Sequence, residues 1–142
     1  MTTPVEKLSQ WIVDAAALIA SGSEPLEQEP PHFLEEPTLV PALVQMIATI
    51  DEATLTENQA LYSACLFVLD VCVSQLHFAS ENGNKRATHT MDALMEHLVL
   101  AIQKGSQGIN FWLPMMSAFY DAQVPLSQAL QDIYLVLAEE ES

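Results

Sequence analysis

Four polar residues within a long apolar stretch have the spacing of a single helical face. Ser74 follows Asp70 by four residues, His77 follows Ser74 by three, and Glu81 follows His77 by four. On a helix such neighbours stand side by side. A carboxylate beside an imidazole orients it and favours its charged form, an arrangement that general acid–base chemistry uses. The same residues also serve as the solvated or partner-facing edge of a central helix. No second helix carries a matching stripe with a nucleophile. The stripe is therefore read as surface, and no catalytic residue is assigned.

His89, Asp92 and Glu96 form a second group, at offsets of zero, three and seven on one helical face. Imidazole and carboxylate are metal-ligand types. However, Met91, Leu94, Met95, Leu98 and Ile102 take the opposite side of the helix and turn the three polar residues toward solvent. A di-metal carboxylate bundle needs ligand motifs on several facing helices, and no such set is present. Neither a metal nor an organic cofactor is expected.

The turn at residues 82–86 holds Asn82, Gly83, Asn84, Lys85 and Arg86. It carries two of the chain's four cationic residues at the start of a predicted helix. Exposed N–H groups and the helix dipole favour an anion there, so two cations need a counter-charge. A carboxylate of the acidic loop, a neighbouring chain or a phosphate ligand could supply it. The turn does not match a phosphate-binding Walker loop in spacing or residues. A plain surface turn, an ion pair and an anion site at Asn84, Lys85 and Arg86 all remain open at this point.

The last group is aromatic and sulfur-rich: Phe111, Trp112, Met115, Met116, Phe119 and Tyr120. Such residues form adaptable docking surfaces, but at helical spacing they more often fill a core. Core is the reading adopted.

The elements that must position these residues are helices. No stretch alternates apolar and polar residues as a half-exposed strand does, whereas apolar residues recur every three to four positions. Helix 1 is predicted over residues 4–21. Thr3 and Glu6 form its capping box, Pro4 takes its first position and Gly22 stops it. Its core stripe is read as Val5, Leu8, Ile12, Ala15, Ala16 and Ile19. Residues 22–37 form an acidic, proline-rich loop with Phe33 and Leu34 pinned to the core. Helix 2 is predicted over 39–51 with Thr38 as cap, and helix 3 over 57–82 behind a Thr56–Gln59 capping box. Helix 4 is predicted over 85–104, helix 5 from 111 to 123 with Pro114 in its first turn, and helix 6 over 125–138 before an acidic tail at 139–142. A proline-led helical hairpin echoes between Val40-Pro41 and Leu113-Pro114, which is too little to establish a repeat.

The predicted fold is all-α: one domain of 142 residues, a bundle or stack of about six antiparallel helices with helix 3 at the centre. Helix 3 is apolar nearly all round, leaving only Gln59, Ser63 and the Asp70–Glu81 stripe as its polar edge.

Charge narrows the partners. Four Lys and Arg face 19 Asp and Glu, a formal net charge of −15. Nucleic acids and anionic membranes would be repelled, and a basic protein attracted. Cys65 and Cys72 are seven residues apart on one helix, about 10 Å at 1.5 Å per residue, too far for a disulfide. They read as reduced, buried hydrophobes. The apolar run at 11–20 is interrupted by Asp14 and lacks a basic leader, and the run at 61–76 contains Asp70 and is short for a membrane span, so the cytoplasm is the expected compartment. The function expected is a non-enzymatic helical interaction or regulatory protein that engages a protein partner, with self-association as one form. The rivals are an acidic antagonist of a basic protein, and a ligand-binding or catalytic bundle built on Asp70, His77 and Glu81 or on the Lys85–Arg86 turn.

Overall fold

The computed structural model describes residues 3–22, 32, 33, 36, 38–105 and 107–140. Among them are six α-helices, one short 3₁₀ turn and no strand. The all-α bundle read from the sequence is the fold observed. The helices are α1 Pro4–Ser21, α2 Leu39–Ala48, α3 Gln59–Glu81, α4 Lys85–Lys104, α5 Ile109–Asp121 and α6 Gln128–Glu140.

Helix α3 is the centre. It packs against α1, α2, α4 and α5, while α4 also meets α2 and α6. Its inner side buries Tyr62, Ala64, Cys65, Val68, Leu69, Cys72, Val73 and Leu76. At 23 residues, α3 is the one helix among the described residues long and apolar enough to cross a membrane. Within the fold it contacts four other helices, and 44% of its apolar window is buried. Helix α5 docks on α3 and contributes Phe111, Trp112, Met115, Met116 and Phe119 to the core. The aromatic and methionine cluster is thus interior, with Tyr120 alone turned outward.

Helix α1 begins at the expected capping box, in which Thr3 Oγ1 accepts from Glu6 N–H and the Glu6 carboxylate accepts from Thr3 N–H. It ends at Gly22, whose φ of 72° is the left-handed conformation that a glycine adopts without strain. Leu8, Trp11 and Ile12 are its buried residues. Val5 and Ile19 share the apolar stripe but lie in the end turns and stay exposed, so they are not core. Phe33 is fully buried, and its N–H donates to the Gln75 side chain of α3, which fastens that point of the loop as anticipated. Leu34, most of loop 22–37 and residues 141–142 lie outside the described residues.

Several helix ends differ from the sequence reading. Helix α2 stops at Ala48, and Thr38 makes no side-chain capping bond. The Thr56–Gln59 box does not form. Turn hydrogen bonds over residues 51–58 lead the chain into α3, with Asn58 at the cap position and its amide donating to Thr54. Helix α5 starts at Ile109, because the Glu52 carboxylate accepts from Gly108 N–H at 3.1 Å and neutralises the helix start. Pro114 therefore falls in the helix interior and leaves the Asn110 carbonyl, on an exposed residue, without its helical donor. Helix α6 begins after Ser127, whose hydroxyl accepts from Leu130 N–H. It runs through Glu139 and Glu140, so those residues are helix rather than tail.

Candidate interaction surface

The α3–α4 connection is a tight reversal that sets the geometry of everything near it. Gly83 has a φ of 87°. Its N–H bonds to Ser80 C=O, and Asn84 N–H bonds to Ala79 C=O. These two bonds make a Schellman motif that ends α3. Asn84 then caps α4, its side-chain oxygen accepting from Ala87 N–H at 3.1 Å. The hydroxyls of Ser80 and Thr88 hydrogen-bond to each other across the hairpin.

This arrangement gives Asn84 a structural role and leaves Lys85 and Arg86 beside it. The Asn84 carbonyl oxygen occupies the position an anion would take at the helix start. Lys85 and Arg86 are exposed, and neither forms an ion pair with a described residue. The counter-charge expected for them from within the chain is not found among the described residues. Asn84 itself is a capping residue.

The stripe on α3 is exposed where the sequence placed it. Asp70, Ser74 and Glu81 face solvent, while His77 is half-buried with Nε2 3.9 Å from Glu81 Oε1. Asp70 and Ser74 make no side-chain hydrogen bond with a described residue, so the four residues do not converge on one reacting point. The stripe also holds two residues that the sequence reading assigned to the apolar body of the helix. Phe67 is 51% exposed and Phe78 is 73% exposed. At about 100° per residue, Phe67, Asp70, Ser74, Phe78 and Glu81 fall on one face. The ring of Phe67 lies flat on Trp11 of α1, with centroids 5.9 Å apart and planes 8° apart. Trp11 is thereby covered, and its indole N–H has no hydrogen-bond acceptor.

On its α4 side the stripe descends into an open cleft of about 270 Å³. His77 and Glu81 line it from α3, and Asp92 lines it from α4. Met91 and Met95, both nearly covered, form its base, and Val124 and Pro125 form the far wall. Of the group His89, Asp92 and Glu96, all of which are exposed, Asp92 lines this cleft. The structure thus brings together His77, Glu81 and Asp92, from two groups that sequence spacing kept apart. No three His, Cys, Asp or Glu among the described residues are close enough to hold a metal ion.

Val124 and Pro125 also border a second, more open hollow of about 580 Å³, lined in addition by Tyr120, Asp121 and Gln123. Tyr120 is 83% exposed. The α5 terminus that builds this hollow is again a Schellman turn, with Gln123 N–H on Tyr120 C=O and Val124 N–H on Phe119 C=O. Here the left-handed position is Gln123, with φ of 61°, rather than a glycine.

The cysteines carry no chemistry at this surface. Both are free and buried. Burial pushes the Cys65 thiol up to about 11 and raises that of Cys72 as well. Comparison of the chain with protein-family models, with curated proteins and with solved structures finds no match.

Proposed function

We propose that this chain is a non-enzymatic helical interaction protein that engages a protein partner through the outward face of α3. One observation carries the reading: Phe67 and Phe78 stand exposed on the same helical face as Asp70 and Glu81. Large aromatic side chains left in water on a rigid central helix are the residue type that anchors protein interfaces. The carboxylates around them keep the free surface wet and limit indiscriminate association. Asp70 and Ser74 line neither of the two hollows described, which favours a contact surface over a reaction centre. Free, buried thiols at Cys65 and Cys72 are compatible with a reducing compartment, and we place the protein in the cytoplasm.

The test is differential capture. Immobilised wild-type chain and a Phe67→Ala/Phe78→Ala variant are exposed to the same cell extract. Circular dichroism establishes that both retain the same helix content. The reading expects specific proteins retained by the wild type and lost from the variant. Identical sets on both would refute it.

A further inference from the structure

We infer that the partner surface is basic, and that its Arg or Lys side chains enter the cleft between α3 and α4 and the adjoining hollow at the end of α5. The inference rests on the proposed interaction role and specifies its chemistry. Four observations lead to it. Glu81 and Asp92 come from different helices yet line one cleft, so their fields add on a group placed between them. Neither is paired with any of the chain's four Lys and Arg residues; among the described residues the one ion-pair contact is His77 with Glu81. The base of the cleft is apolar and built from Met91 and Met95, which suits the methylene stem of a long cationic side chain whose head stays near the carboxylates. Finally, the exposed ring of Tyr120 lines the hollow beside Asp121. Such faces attract ammonium and guanidinium groups.

The alternative occupant, a second copy of this chain, would bring a second net charge of −15 against the first. Complementary charge therefore selects a basic protein segment over self-association. Val124 and Pro125 separate the two sites as a shared wall, so a single basic segment laid across them would offer one cation to each.

The probes are two fluorescein-labelled amphipathic helical peptides with the same leucine face, one bearing arginines and the other citrulline at the same positions. Citrulline keeps the shape and removes the charge. Fluorescence anisotropy is followed with the full chain at low and at physiological salt. The arginine peptide is expected to bind about tenfold more tightly than the citrulline peptide. That preference should fall below about threefold in Glu81→Gln/Asp92→Asn, and should persist in Glu57→Gln/Asp132→Asn, which removes the same charge elsewhere. Equal binding of the two peptides, no binding of the arginine peptide, or equal loss of preference in both variants would overturn the inference. Phe67→Ala/Phe78→Ala separates this failure from failure of the interaction reading. If that variant weakens both peptides equally while charge has no influence, the surface stands and its basic partner does not. If both peptides bind it unchanged, the α3 face is not the docking surface.

Discussion

At the scale of single residues, titration and backbone strain give the sharpest expectations. Tyr62 donates its hydroxyl to the Phe111 carbonyl and stacks on the Phe111 ring at 5.1 Å. Burial, with a smaller contribution from the Glu52 carboxylate, pushes its phenol up to about 12. The unfolded chain would lose the Cys65 proton near 9 and the Tyr62 proton near 10. In the alkaline range it therefore binds fewer protons than the folded chain. Stability from these groups is full at neutral pH and falls as pH rises from about 9 through the folded values of about 11 and 12. Urea denaturation at neutral pH and at stepped alkaline pH measures the decline. A stability flat across that range would contradict the burial described. Gln123 supplies a second expectation. A side chain at positive φ costs about 1 kcal/mol, and the position ends a helix in the motif that glycine favours. Gln123→Gly should raise stability by about 0.5–1 kcal/mol, read as a shift of the denaturation midpoint.

At the scale of elements, one junction ties the two halves of the chain. Gln107, buried in the turn between α4 and α5, donates through its amide to the carbonyls of Ala48 and Ile50 at 2.8 and 3.0 Å. The end of α2 is thus closed by a side chain almost sixty residues away. Gly105 makes room for it. A Cβ there would lie 2.2 Å from Gln107 Oε1 and 3.0 Å from the Ala101 carbonyl. Gly105→Ala and Gln107→Ala should each destabilise the fold by about 1–3 kcal/mol, the first by displacing the amide and the second by leaving two carbonyls unbonded. If the two act through this one junction, the double variant loses much less than the sum of the singles. Additive losses would show that the junction does not couple them. Both Gly105 and Gln107 were legible as letters, but nothing in local spacing linked Gln107 to α2, because the contact spans the fold.

The helix identities themselves were largely readable. Helix α4 runs over the residues that Asn84 and Gly105 bracket in the sequence, and α1 follows from Thr3, Pro4, Glu6 and Gly22. The starts that were misplaced, at α5 and α6, depend on partners distant in sequence. Glu52 meets the N–H of Gly108, the cap residue of α5, and Ser127 is held by its own N–H on the Met95 sulfur while it caps α6. The candidate surface was readable in half. Asp70, Ser74, His77 and Glu81 were found by period, while Phe67 and Phe78 were absorbed into the apolar majority of α3.

At the scale of the whole molecule, charge governs behaviour. With a net −15 on 142 residues, the folded chain repels itself, and that repulsion is screened over about 10 Å at 0.1 M salt. Adding sodium chloride from low to moderate ionic strength should raise the melting temperature, followed by circular dichroism. A melting temperature indifferent to salt would mean that the carboxylates are spread too evenly to matter. The same field predicts that association with a basic partner slows as salt rises, an effect on the encounter rate more than on dissociation.

The amino-acid sequence alone determined that this protein would be helical, where each helix broadly lies, and that its carboxylates stay outside. Those outcomes follow from apolar period, caps and the cost of burying charge, all of which act locally or everywhere at once. The tertiary structure alone decided which apolar side chains are left uncovered and which polar groups from separate helices meet. Phe78 is exposed because no helix among the described residues covers that side of α3. Glu81 and Asp92 share a cleft because the turn at Gly83 and Asn84 folds α4 back along α3. A helix presents the same side chains in the same order whether or not a neighbour covers them, so exposure is a property of the assembly and not of the stretch that carries it.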